Sequence, residues 1–396
     1  MDGREPVLVA YADHANEVGG AEISLQLLLR YLDPERFRPL LLHSANAPWL
    51  PSAAGPDVLL APVFNPQSGV FRPQRDNIGK TLVANLGNML RAARPVAASW
   101  HALRRYRPAL VHTNTLKCHL VVGAAARLCR IPLIWHLRDI VREPGARALL
   151  RRAAGLLKPT IIAVSQAVAA QVADLGLPVR VIYNGVPLED FSPGPPPPGL
   201  RESLGLPPRA RPIVIVARLT PWKGHQALLR AMPLVLARQP DARLLVVGTI
   251  AFWSEGYLEE LQNLASQLGI SHAVVWTGHR KDVPDLLRLA EVFVLPSKDE
   301  PFGRAIVEAM ATGKPVVAGR AGGVPEVCPD GETGYLVDPE SPQEIAEAIL
   351  AMLSDPTRAR QMGERGHIRA RELFDAKTTA AHVQSLYEEI LERQAQ

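Results

Sequence analysis

The chain has 396 residues, 47% hydrophobic and 21% charged, a composition that predicts a soluble globular protein with room for two domains, each with its own core. No apolar stretch is long enough to span a bilayer, and no cleavable signal pattern precedes the first strand-like run. The net charge of +5 is uneven: residues 1–187 carry 22 Lys+Arg against 12 Asp+Glu, and residues 188–396 carry 22 against 27.

In chain order, strand-length apolar runs fall at residues 7–11, 40–43, 110–113, 133–136, 161–164 and 179–183. A second series follows at residues 213–217, 244–248, 274–277, 292–295, 315–318 and 335–337. The runs alternate with helical patterns, including residues 23–31 and a final helix at 377–391. Runs this apolar are buried on both faces, which predicts two doubly wound parallel α/β domains with ligands outside the carboxyl ends of the strands. Residues 46–77, rich in proline and holding Trp49, Phe64 and Phe71, read as a long loop leading to a helix that begins near Asn77. Residues 192–198, Ser-Pro-Gly-Pro-Pro-Pro-Pro, read as a stiff linker, with a short helix at 201–206 beyond it.

Three segments carry chemistry. After the first strand, Gly19 and Gly20 lead into a helix; paired glycines permit positive φ and close approach to a ligand, although a plain strand-to-helix turn looks the same. The three spaced glycines of a dinucleotide fingerprint are missing here. In the second half, Arg218 ends a strand and Lys223 precedes the next helix, so both cations can reach a diphosphate at the strand ends. The third segment runs from Glu300 through Pro301, Phe302, Gly303 and Arg304 to Glu308, after the run at 292–295 and into a helix at 305–311. A strand that turns through glycine into a helix N-terminus offers free N–H groups and a positive dipole end to an anion. Carboxylates cannot hold phosphate, so Glu300 and Glu308 suit hydroxyl groups. Phosphate and hydroxyls together describe a nucleotide sugar.

With these segments combined, the chain resembles the retaining glycosyltransferases of family 4, which have the GT-B fold, over nearly its whole length. The resemblance is carried by Arg218 with Lys223-Gly224, Glu300 with Glu308, Gly313-Lys314-Pro315-Val316, Gly322-Gly323-Val324-Pro325-Glu326 and Asp330-Gly331-Glu332-Thr333-Gly334. In the first domain it is carried by Gly19-Gly20-Ala21-Glu22 and by His136 after a strand. It implies two Rossmann-like domains facing a cleft that closes on the donor. Residues 1–187 would form the acceptor side, 188–210 a Pro-rich linker and 211–375 the donor domain, with the final helix 376–396 packing back on the first domain.

The resemblance also implies roles. Arg218 and Lys223 would neutralise the donor diphosphate. The backbone of Phe302, Gly303 and Arg304 would bind its phosphates, Glu308 the ribose and Glu300 the donor sugar. The loop with Arg280 would meet the base, Gly19 and Gly20 the diphosphate, and His136 the transferred sugar. Where family members commonly read Asn-Gly-Val-Asp, this chain has Asn184-Gly185-Val186-Pro187, so the role of that aspartate has no carrier here. The sequence contains no Asp-x-Asp pair, which predicts no obligatory metal.

The expected reaction is transfer of a hexose from a nucleoside-diphosphate sugar to a sugar, lipid-linked or other hydroxyl acceptor in bacterial-type glycan, glycolipid or glycoside synthesis. A sugar-nucleotide 2-epimerase of the same fold and a non-catalytic sugar-nucleotide-binding protein are the competing readings. The basic first half suits an anionic acceptor or the anionic inner face of a membrane. Nucleic acid is not an expected partner. The three scattered cysteines form no metal or disulfide pattern and fit a cytoplasmic compartment.

Overall fold

A computed structural model describes residues 5–16, 18–45, 47, 58–64, 82–250, 254 and 256–396, with backbone only at 82–92 and 395. The chain forms two units, Met1–Tyr183 with Ala376–Gln396, and Asn184–Asp375.

In the first unit, strands β1 (Val7–Ala12), β2 (Phe37–Ser44), β3 (Leu59–Phe64), β4 (Leu110–Thr113), β5 (Leu133–Leu137), β6 (Thr160–Ala163) and β7 (Val179–Val181) form one sheet in the order β3-β2-β1-β4-β5-β6-β7. Every pair is parallel. Aliphatic runs such as Leu40, Leu41 and Leu42 are wholly buried, as helices on both faces require. The sheet order reverses direction between β1 and β4, which opens a crevice at their carboxyl ends.

The predicted loop at 46–77 is corrected in part. Residues 59–64 are the edge strand β3, paired with β2. Pro62 lacks an N–H and is tolerated because an edge strand has one unpaired side. Residues 65–81, which include the expected helix start near Asn77, lie outside the described residues.

The final helix, Ala376–Ala395, packs within the first unit. Its Ala380, Val383 and Tyr387 recur at helical spacing and join a core with Tyr11, Phe37, Leu41 and Ile134. The Tyr387 ring meets Phe37 edge to face at 5.6 Å.

The second unit holds β8 (Arg211–Val216), β9 (Ala242–Val247), β10 (Val274–Gly278), β11 (Val292–Leu295), β12 (Val316–Gly319) and β13 (Gly334–Val337) in the order β10-β9-β8-β11-β12-β13. These pairs are parallel as well, and the order reverses between β8 and β11. The proline-rich segment is tied to this unit. Arg288 donates to the carbonyls of Asp190 and Ser192 at 3.1 and 3.0 Å, and Phe191 is buried. The short helix after it spans Leu200–Ser203.

Leu386 is 5% exposed in the first core, whereas Leu128 is 68% exposed. Leu386→Ala therefore costs about 2–5 kcal/mol of stability, by lost transfer energy plus a cavity. Leu128→Ala stays within about 0.5 kcal/mol. Urea unfolding of both variants beside the parent chain measures the difference.

Candidate functional site

In the second unit the carboxyl ends of β8 and β11 gather most of the expected donor residues. The turn after β8 is Pro221–Lys223, closed by Gly224 at φ +80°, where a Cβ would lie 2.0 Å from the Pro296 carbonyl oxygen. Only glycine allows the turn to press against the end of β11. The contact is fastened by the Lys298 amide and the Ser297 hydroxyl, which donate to the Trp222 carbonyl at 2.8 and 3.1 Å.

This places the Lys223 ammonium 2.5 Å from Glu300 Oε2. The pair is largely buried, so each charge is compensated before a ligand arrives. Arg218, at the same strand end, is exposed and makes no ion pair with a described residue.

After β11 the chain turns at Gly303, φ +97°, into the helix Arg304–Ala311. First-turn N–H groups have no helical acceptor, so those of Gly303 and Arg304 are available to an anion. Arg304 Nε donates to Glu308 Oε1 at 2.8 Å, one helical turn on, and Arg304 Nη1 is buried with no partner among the described residues. Phe302 faces inward, with its ring edge-on to Phe374 at 5.5 Å, so only its backbone can serve a ligand. Arg280 lies apart, after the edge strand β10, and is held by Asp282 at 2.5 Å.

The first unit carries Gly19, Gly20 and His136. The glycines differ from expectation in conformation. Gly19 is extended at φ −126°, and Gly20 begins the helix Gly20–Arg30, so neither uses a positive φ. The room around Gly20, where a Cβ would meet nothing within 4 Å, is open space. The Gly19 amide donates to Glu22 Oε2 at 2.7 Å, a capping interaction.

His136 is the penultimate residue of β5 and is buried in a polar cluster that the sequence reading missed. Its Nδ1 lies 3.1 Å from His112 Nε2 and 3.2 Å from Arg138 Nη2. Arg138 Nε donates to Asn114 Oδ1, and Asn114 Nδ2 donates to Asp13 Oδ2 at 2.7 Å. Burial, and then the Arg138 charge, hold both imidazoles well below the usual histidine range, so they are neutral. Burial also raises the Asp13 carboxyl. Burial, with Asp13 close by, raises Glu22 to about 7. The missed signal is a repeated spacing: Tyr11 and Asp13, His112 and Asn114, His136 and Arg138 are polar pairs two apart at the ends of three adjacent strands.

Among the described residues no helix is long and apolar enough to cross a membrane, and no three His, Cys, Asp or Glu side chains gather as metal ligands.

Solved structures match the chain over nearly its whole length. The Anabaena protein HepE, solved with UDP-glucose, is 26% identical with a TM-score of 0.80, covering 96% of this chain and 99% of HepE. The two parallel α/β units are those of the GT-B glycosyltransferases. Residues 199–369 match the family described as Glycosyl transferases group 1, and residues 18–190 match Glycosyltransferase Family 4. The chain belongs to glycosyltransferase family 4.

Among curated relatives, a D-inositol 3-phosphate glycosyltransferase 2 of Catenulispora acidiphila is 34% identical, over 74% of this chain and 68% of its own. A GDP-mannose-dependent α-(1-6)-phosphatidylinositol monomannoside mannosyltransferase of Mycolicibacterium smegmatis is 35% identical, over 61% of this chain and 65% of its own. Similarity to other such relatives spans only about half their length, as with the 49% matched in the Corynebacterium kroppenstedtii protein.

A carboxyl raised from its ordinary 4.5 to about 7, as in Glu22, contributes stability that is complete below 4.5 and lost as pH rises through 7. Glu22→Gln cannot ionise and can still accept from the Gly19 amide. The melting temperature of the parent therefore falls relative to Glu22→Gln between about pH 5 and pH 8. Parallel pH series of thermal melts measure it, and curves that stay parallel would refute the assignment.

Proposed function

We propose that the protein is a retaining glycosyltransferase that moves a hexose from a nucleoside-diphosphate sugar to an acceptor hydroxyl without an obligatory metal. The observation that carries this is the array at the ends of β8 and β11, set in a chain of family 4: exposed Arg218, the Lys223–Glu300 pair, the Gly303 turn and the Arg304–Glu308 pair.

In this reading the bond from the anomeric carbon to the diphosphate breaks as the bond to the acceptor oxygen forms on the same face. The departing phosphate oxygen takes the acceptor proton. Negative charge grows on the leaving diphosphate, and fixed donors aimed at it are the main source of acceleration. Arg218, the amides of Gly303 and Arg304, and Lys223 supply them. As Lys223 turns to phosphate, Glu300 is released to accept from the donor sugar. The second oxygen of Glu308 is placed for the ribose. His136 meets the substrate from the first unit, and Gly19 and Gly20 the diphosphate. Arg280 flanks the base.

The base and hexose are for experiment to name, since one relative's name specifies GDP-mannose and HepE was solved with UDP-glucose. The names of the two curated relatives specify inositol phosphate and phosphatidylinositol mannoside acceptors. Together with the basic first unit, they favour a phosphate-bearing or lipid-linked acceptor, used by a cytoplasmic enzyme at an anionic membrane face. Epimerisation is the second reading, favoured by the Glu22 carboxyl, poised near neutral pH beside Asp13. Product analysis separates the two. A transferase releases nucleoside diphosphate only with acceptor, whereas an epimerase alters the sugar without net release.

One nucleoside diphosphate in a panel containing chelator should raise the melting temperature of the parent, by mass action. Arg218→Ala should abolish most of that rise and lower turnover about 10²–10³-fold, as loss of one transition-state donor does. A parent that responds to none of the panel, or a variant that responds equally, counts against the site.

Binding to phosphatidylserine-containing vesicles should weaken steeply between about 0.05 and 0.5 M salt, because the Debye length falls below 10 Å. Sedimentation that is unaffected by salt removes the electrostatic argument for a membrane face.

A further inference from the structure

The hydrogen bonds around His136 have a direction. Arginine has only N–H donors, so Arg138 Nη2 donates to His136 Nδ1 at 3.2 Å, and that nitrogen must present a lone pair. His112 Nε2 faces the same lone pair at 3.1 Å and must therefore carry a proton. In a neutral His112 the other nitrogen, Nδ1, is then bare, and it accepts from the Tyr387 hydroxyl at 2.6 Å.

Arg138 is itself fixed. Asn114 Oδ1 accepts from its Nε, and Asn114 Nδ2 donates to Asp13 Oδ2 at 2.7 Å and to the Ala21 carbonyl at 3.2 Å, which settles the orientation of that amide. A neutral His136 with a bare Nδ1 must hold its proton on Nε2. That atom is buried and has no partner among the described residues.

We infer that Tyr387, His112 and Arg138 form a one-way relay that locks His136 as an Nε2–H donor reserved for a substrate oxygen. His136 then gives a hydrogen bond and takes no proton from the acceptor. Arg138, His112 and Tyr387 are positioning residues, and the last of them ties the final helix to β4 through His112. The lock belongs to the protein alone. The role of His136 in turnover rests on the transferase reading above.

Nitrogen-15 spectra of the histidine rings in the unliganded protein test the lock without any substrate, with the His136 signals identified by their loss in His136→Gln. The expected pattern is one bare and one protonated ring nitrogen in both His112 and His136, with the proton on Nε2. A proton on Nδ1 of His136 overturns the proposal, whatever reaction the enzyme performs.

Turnover tests the donor role, read as nucleoside diphosphate released with acceptor. Glutamine can place an N–H near the position of Nε2, so His136→Gln should stay within about tenfold of the parent, while His136→Ala should lose about 10²–10³-fold. Equal loss in both variants overturns the donor role. Tyr387→Phe keeps the packing and removes one neutral hydrogen bond, so turnover should fall about three- to tenfold and His112 should sample both tautomers. If the parent turns over no nucleotide sugar, the transferase reading fails, while the spectra still decide the lock.

Discussion

Both units depend on one constraint, the reversal of strand order in a parallel sheet. Each sheet grows outward in both directions from a first strand, β1 or β8. The crossovers leave that strand on opposite faces of the sheet, so no connection covers the space beyond its carboxyl end. Chain segments that reach this space are turns, and turns can bring polar groups there without breaking a ladder of backbone hydrogen bonds. Arg218, Lys223 and Glu300 arrive by this route in the second unit, and Asp13, Asn114 and Arg138 in the first. The apolar interior of each strand and its polar end are two consequences of one topology.

The two units use the opening differently. In the second, opposite charges are paired in advance, Lys223 with Glu300 and Arg304 with Glu308. Leaving one charge of such a pair buried alone costs roughly 3–5 kcal/mol, so the partners hold each other's geometry. A diphosphate and its sugar bring both an anion and hydroxyls, and can therefore take over both halves of a pair at once. A simple anion would satisfy Lys223 and strand Glu300. On the proposed reading, pre-pairing favours a ligand with both kinds of group. In the first unit the cluster is richer in neutral groups. Burial keeps His112 and His136 uncharged and raises the carboxyls of Asp13 and Glu22. Such a cluster discriminates by hydrogen-bond direction more than by charge.

Much of this was legible in the sequence where the signal was local. The strand of four apolar residues, the glycine at 303 and the carboxylates at 300 and 308 lie within 17 consecutive positions, residues 292–308, and the structure keeps them in one strand–turn–helix unit. The alternation of apolar runs with helices was legible because buried parallel strands have no polar face to confuse the period. β3 was not, because its run, Leu-Leu-Ala-Pro-Val-Phe, contains a proline and sits among others. Only its edge position makes Pro62 compatible with a strand, and edge position is not written in the run itself. The cluster around His136 was missed for a different reason. Its members come from three strands and a terminal helix, and Tyr387 reaches His112 across 275 positions. The pairing of Lys223 with Glu300 likewise spans 77 positions and depends on how closely Gly224 meets Pro296.

A buried polar atom without a partner costs about 1–3 kcal/mol, against a total stability of order 5–15 kcal/mol. Among the buried atoms that have no partner among the described residues are His136 Nε2, near the carboxyl end of β5, and Arg304 Nη1, at the start of the helix after β11. An apolar side chain at either position would remove the penalty and keep the core. Neighbouring contacts instead hold these side chains in place, Arg138 and His112 around one and Glu308 beside the other. A ligand oxygen that reaches such an atom meets a donor already stripped of water, so it gains the hydrogen bond without the protein's share of the desolvation cost. On the reading proposed above, these two atoms are places where folding stability is forgone in favour of binding.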